Sequence, residues 1–146
     1  MRNFYLTASL VFIFDRLTKY LVLLADYHRI ELLPFLALVK VWNRGIAFGL
    51  FSSADSANLI FALAGAFALV VVLYLGRRAD AMARLGFGLI FGGGLGNLVD
   101  RVVFGGVLDF IDLHVGELHW PAFNVADLAI TIGVIVLLFV YSKKKT

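Results

Sequence analysis

Four stretches of this chain are apolar over about 20 residues, the length a helix needs to cross a bilayer, and polar residues interrupt each in its own way. The second, from about Ala57 to Gly76, carries no charged residue. The first, from about Phe4 to Ala25, is broken by Asp15, Arg16 and Lys19. The third, from about Leu85 to Phe104, is rich in glycine and turns polar at Asn97, Asp100 and Arg101, and the fourth, from about Asn124 to Tyr141, has Asp127 near its start. The expected fold is an all-α membrane bundle of four transmembrane helices. The connections are patterned too. Residues Leu36 to Phe48 are rich in Val, Leu, Trp and Phe and are interrupted by the turn signal Asn43-Arg44-Gly45, and Val107 to Val115 also suit an extended backbone. The regions 28–49 and 106–120 are therefore expected to form a small antiparallel sheet on one face of a single domain spanning 1–146.

Composition agrees with lipid as the main solvent. Of the 146 residues, 62% are hydrophobic and 16% charged, with a mean hydropathy of +0.94; a soluble domain carries about a quarter charged residues. The chain has no cysteine, which excludes disulfides, thiolate metal sites and a cysteine nucleophile. Its net charge of +3 does not indicate a nucleic-acid partner, because the basic residues sit at the ends of apolar runs. Arg2, then Arg77, Arg78 and Arg84, then Lys143 to Lys145 fall on one side of a four-pass chain, which the positive-inside rule makes cytoplasmic along with both termini. The loop after span three is acidic, with Asp109, Asp112 and Glu117, and faces out. Trp42 and Trp120 fall where an interfacial aromatic belt would lie. The first apolar stretch lacks a small-x-small cleavage site and reads as a retained span.

Depth counts gather the polar residues into one layer. Asp15 lies roughly 18 Å along a helix starting near Asn3, and Lys19 roughly 24 Å. Asp100 lies roughly 24 Å along a helix entering from the same side near Arg84. Asn124 and Asp127 begin span four at that level from the other side. Ionisable groups in a span usually face the bundle interior or a wet cavity, so this layer marks one site. Asp15 and Lys19 share a helix face at i,i+4, as do Asn97 and Arg101. These charges can equally be ion pairs locking helices together. Asn124-x-x-Asp127 before an apolar run likewise has the form of a capping box, which leaves Asp109 unexplained. Gly88, Gly92 and Gly96 recur as a close-packing stripe. His28, His114 and His119 have no ligand-like spacing, so no metal is expected, and no H-E-x-x-H or Ser-His pattern occurs. Two carboxyls sharing a proton can activate water on an amide, and Asp109 and Asp127 are the best placed. The alternative is a non-enzymatic transporter or proton-relay subunit, which needs a polar path through the membrane. An uncharged span two and polarity confined to one half argue against such a path.

Four stretches together resemble one family. They are Asp15-Arg-Leu-Thr-Lys19, Asn43-Arg-Gly-Ile-Ala-Phe-Gly49, Gly93-Gly-Leu-Gly-Asn-Leu-Val-Asp-Arg101, and Val107-Leu-Asp-Phe110 followed by Phe123-Asn-Val-Ala-Asp127. In order and spacing the chain resembles the lipoprotein signal peptidases (signal peptidase II) of bacteria along nearly its whole length. The resemblance implies a four-helix bundle with an outer β-cradle in the inner membrane. It implies Asp109 and Asp127 as the catalytic pair, with Asp15, Lys19, Asn43, Asn97, Asp100, Arg101 and Asn124 lining or bracing the site. It also implies lipid-modified prolipoproteins as substrates, cut before the diacylglyceryl cysteine. Apart from the resemblance, membrane lipids are expected as partners and no cofactor is expected. A monomer is expected because the glycine stripe, the one oligomer signal, is explained by packing within the chain. Arg16 stands where the family commonly has Gln, and Leu128 where Ser is common. Asp127, at the N3 position of span four, lies in the positive end of that helix's dipole and is expected to be the more readily ionised of the pair.

Overall fold

A computed structural model describes residues 1–45 and 54–143. Their elements, in chain order, are α1 (Arg2–Leu24), β1 (Arg29–Leu33), β2 (Leu36–Asn43), α2 (Ala54–Arg78), α3 (Ala81–Phe104), β3 (Val107–Val115), β4 (Leu118–His119) and α4 (Val125–Ser142). The glycine-rich α3 is the helix against which α1, α2 and α4 all pack. Its small residues permit this. A Cβ at Gly92 would lie 2.5 Å from the carbonyl oxygen of Ala8 on α1, and one at Gly93 would strike the carbonyl of Ala126 on α4. Gly88 and Gly96 also face α1, at Phe4 and at the Asp15 carboxylate.

Large apolar side chains point outward from the bundle, among them Leu10, Phe67 and Leu138, each about two-thirds exposed or more. By length and composition α2 (from Ser56), α3 and α4 are each able to cross a bilayer. Helix α1 has the length, but Asp15, Arg16 and Lys19 set it apart from those three. Among the described residues, two apolar clusters fill the interior. Phe4, Ala79, Ala83 and Phe87 form one, and Val22, Leu108 and Phe110 form the other beneath the sheet. Along α1, buried Asp15 and Lys19 fall between Phe4 and Val22.

The expected antiparallel sheet is present, in the order β1-β2-β3-β4. Its first strand, Arg29–Leu33, lies within the expected 28–49 region and ahead of the Leu36 to Phe48 run. The sheet pairs Val41 with Asp109 and Asn43 with Val107, and a shift of register between Leu38 and Val41 bends the ladder just before that point. Strand β2 ends at Asn43; Ile46 to Gly49 of the sequence motif lie outside the described residues. Gly105 closes α3 in the left-handed conformation (φ 70°), turning the chain straight from helix into β3.

Candidate active site

Strand β3 leaves the end of α3 and carries Asp109 back over the bundle, where β2 supplies its neighbour. Asn43 Nδ2 donates to Asp109 Oδ2 at 3.0 Å, and Asn43 Oδ1 accepts the backbone N–H of Gly45, which holds the amide in that orientation. From the other side, Asn124 Nδ2 donates to Asp109 Oδ1 at 2.7 Å.

Asn124 is also the N-cap of α4. The expected capping box is present: the Asn124 side chain accepts from the Asp127 N–H, and Asp127 Oδ2 accepts the Asn124 N–H at 3.2 Å. Capping occupies only one carboxylate oxygen. Asp127 Oδ1 accepts from Asn97 Nδ2 at 2.8 Å. One buried asparagine therefore holds both candidate carboxyls, through its side chain and through its backbone.

Asn97 passes the arrangement on to a cluster of charges. Its Oδ1 accepts from Lys19 Nζ at 3.0 Å and from Asn124 Nδ2 at 3.2 Å. An ammonium has only donors, so the carbonyl end of Asn97 must face Lys19 and the NH2 end must face Asp127. Lys19 in turn pairs with Asp15 at 3.0 Å and Asp100 at 2.8 Å. Arg16 bridges the same two acids, at 2.9 and 2.7 Å. Backbone N–H groups complete the set, from Ala126 to Asp15 and from Leu108 to Asp100. Two acids and two bases make the cluster neutral. Asp15 and Asp100 are buried almost completely and tie α1 and α3 to the starts of β3 and α4.

Arg101 does not join this cluster. It lies on another side of α3, beside Asn58 of α2, whose Nδ2 donates to the Arg101 carbonyl at 3.0 Å, and with its guanidinium 5.2 Å from the Phe61 ring centroid. There it lines, with Phe61, Leu69, Gly94, Asn97 and Ile130, an apolar groove of about 420 Å³ between α2, α3 and α4. A second cleft, of about 330 Å³, opens over Asp109 between Trp42, Asn43, Arg44 and Pro121. Asp109 is thus reached from an open side, and Asn97, the donor to Asp127, lines the groove. Burial pushes the Asp109 carboxyl up to about 6; hydrogen bonding from Asn43 opposes the rise, and the charge of Asp127 adds to it.

All nine residues singled out in the sequence lie in this region, in three groups: Asp109, Asp127, Asn43, Asn97 and Asn124 in one hydrogen-bonded network; Asp15, Lys19 and Asp100 in the adjoining charge cluster; and Arg101 on the groove. Sequence reading passed over two partners. Arg16 figures in the sequence as a charge in the first apolar stretch and a departure from a family pattern, not as a site residue, yet it contacts both buried acids. Asn58 was not singled out, although an amide in an otherwise apolar segment is itself a signal of a polar contact between helices.

A family model for signal peptidase (SPase) II matches residues 7–143. The lipoprotein signal peptidase of Pelagibacter ubique is 45% identical over 158 aligned residues, covering 100% of this chain and 95% of that one. The lipoprotein signal peptidase of Thermodesulfovibrio yellowstonii is 44% identical over 138, covering 93% and 90%. A bacterial membrane enzyme solved by the in meso method at 2.3 Å superposes with a TM-score of 0.85 at 31% identity, covering 100% of this chain and 91% of its own. A match that runs almost from end to end, in sequence and in fold, makes this multi-pass membrane protein a member of the signal peptidase II family of proteases.

Proposed function

We propose that the protein is an intramembrane aspartic endopeptidase that removes the signal peptide from diacylglyceryl-modified prolipoproteins, cutting just before the lipidated cysteine, with Asp109 and Asp127 as its catalytic pair. The names of its relatives support the substrate class. The observation that carries the chemistry is the double grip of Asn124, which holds one carboxyl by its amide and the other by its backbone N–H.

In the proposed reaction Asp127, as carboxylate, takes a proton from water while the water oxygen attacks the scissile carbonyl carbon. Asp109 gives its proton to the carbonyl oxygen, forming a gem-diol without any covalent bond to the protein. Collapse breaks the C–N bond: the proton on Asp127 passes to the leaving nitrogen, and a gem-diol hydroxyl returns one to Asp109. Asn43, Asn97 and Asn124 orient the pair. Asp15, Lys19 and Asp100 anchor Asn97 and the start of α4, and Arg101 lines the groove that takes apolar parts of the substrate. All these groups come from one chain, so a monomer suffices.

The proposed setting is the bacterial inner membrane, with four crossings, both termini cytoplasmic and the site near the outer face. Helix α1 supports a fourth crossing by its sidedness: Leu10, Ile13, Leu17 and Leu21 are exposed, whereas Asp15 and Lys19 turn inward. The apolar cluster of Phe4, Ala79, Ala83 and Phe87 argues against a polar path from face to face.

The test is cleavage of a lipidated prolipoprotein peptide by the purified protein. Asp109→Asn and Asp127→Asn are each expected to lower kcat by about 10³-fold or more while the protein remains folded. Substantial turnover by either variant would remove that residue from the pair, and no cleavage by the unaltered protein would overturn the activity.

A further inference from the structure

The outer sheet gathers a second set of titratable side chains, apart from the carboxyl pair. Glu31 of β1 lies opposite Ala37 of β2, and Ala37 lies opposite Asp112 of β3. This places two acids in one row across the sheet, separated only by a methyl group. His114 follows Asp112 by two residues and so shares its face. The tight turn at Gly116 (φ 58°) brings His119 of β4 directly opposite His114. Three residues with no ligand-like spacing along the chain thereby meet in space. Asp112, His114 and His119 offer ligand atoms that all lie within 4.8 Å of one another.

The detailed contacts are those of a cation site. His119 Nδ1 is 3.0 Å from both oxygens of Asp112. His114 turns Nε2 toward Glu31 Oε2 at 3.4 Å, leaving Nδ1 on the Asp112 side, 3.7 Å from Oδ2. A carboxylate behind the far nitrogen of an imidazole is the arrangement that orients metal-binding histidines. Between the acids lies the guanidinium of Arg29, with Nη1 2.7 Å from Asp112 Oδ2 and Nη2 3.4 Å from His114 Nδ1. It occupies the point where two of the three ligand atoms converge. Two carboxylates and one guanidinium leave the cluster with one negative charge.

We propose that Asp112, His114 and His119 bind a borderline divalent cation of the zinc class at the outer rim of the sheet, displacing the Arg29 guanidinium onto Glu31, which it already contacts. Imidazole with carboxylate suits Zn²⁺, Ni²⁺ and Cu²⁺ over Mg²⁺ or Ca²⁺. Around a tetrahedral Zn²⁺, with bonds of about 2.0–2.1 Å, ligand atoms sit roughly 3.3 Å apart. The closest pairs already stand near that distance. The two imidazole rings are stacked with centroids 5.1 Å apart, and His119, the more exposed, turns inward to close the set. Water takes the fourth position. The ion would clasp the β3–β4 hairpin and sits apart from the peptidase chemistry proposed above.

Titration of Zn²⁺ into the metal-stripped, tag-free protein in detergent, followed by calorimetry, tests this. One Zn²⁺ per chain is expected, weakened by more than about tenfold in His119→Gln and in Asp112→Asn. Arg29→Gln removes the competing cation and should tighten binding severalfold. Asp109→Asn/Asp127→Asn should leave it unchanged. Cu²⁺ bound to the unaltered protein should show two coordinated imidazole nitrogens by electron paramagnetic resonance, a readout independent of any variant's folding. Absence of Zn²⁺ binding, binding indifferent to His119 and Asp112, binding lost only with the two catalytic-pair acids, or a Cu²⁺ spectrum without imidazole would each overturn the site.

Discussion

Asn43 and Lys19 show how single side chains set the state of the carboxyl pair. A hydrogen bond to an ionised carboxylate stabilises its charge and lowers its pKa. Asn43 does this for Asp109, whose value nevertheless stands at about 6. If Asp109 must enter the reaction protonated, kcat/KM falls as pH rises through that value. Asn43→Ala removes the donor, so the falling limb is expected to move to higher pH; a limb that stays or moves down would show that the contact does not govern the titration. Lys19 and Arg16 both neutralise Asp15 and Asp100, but they are not equivalent. Lys19 is almost fully buried and also holds Asn97, whereas the Arg16 side chain is 25% exposed. Removing a buried partner strands the charges it faced, at about 3–5 kcal/mol. Lys19→Met is therefore expected to destabilise the detergent-solubilised protein clearly more than Arg16→Gln, measured by chemical unfolding. Equal losses would mean that burial does not distinguish them. These charges were visible in the sequence as a layer, because depth along a helix is a simple count. Their partners were not, since pairing depends on rotation about the helix axis and on which helix lies opposite. Thus Asp100 pairs with Lys19 and Arg16, while its neighbour Arg101 turns toward Asn58.

Among the elements, α3 decides the packing: a Cβ at Gly86, Gly88, Gly92 or Gly93 would meet a neighbouring helix's backbone, and one at Gly94 or Gly96 a side chain. An alanine at Gly92 would press on the Ala8 carbonyl, whereas nothing lies within 4 Å of the position a Cβ would take at Gly65 of α2. Gly92→Ala is expected to cost about 1–3 kcal/mol of stability through overpacking. Gly65→Ala should be neutral or stabilising by up to about 1 kcal/mol, from helix propensity alone. Comparing the two by thermal unfolding separates packing from propensity. The helices were legible because apolar length and a repeating small residue are one-dimensional signals. The sheet was legible in part. Val107–Val115 suits an extended backbone by its residues, but the β3–β4 hairpin is hidden, because two residues of β4 are too few to show a period. That is why His114 and His119 seemed unrelated.

For the whole molecule the absence of cysteine offers a direct assay of the proposed sidedness. A single thiol introduced as Glu117→Cys is expected to react with a membrane-impermeant maleimide in intact cells, and one introduced as Lys143→Cys only after permeabilisation. Labelling of both from outside would rule out the proposed topology. The basic flanks carried this expectation, since charge bias is written along the chain, whereas the union of all nine site residues needed the fold. The neutral cluster of Asp15, Arg16, Lys19 and Asp100 has a further consequence, for synthesis. Around the level of Asp15, α1 carries one acid and two bases, Arg16 and Lys19, and the acid that balances them comes far later in the chain, on α3. Until Asp100 arrives, α1 holds an excess positive charge that hydrocarbon disfavours. On the proposed four-crossing topology α1 is made before α3, yet its insertion waits on α3.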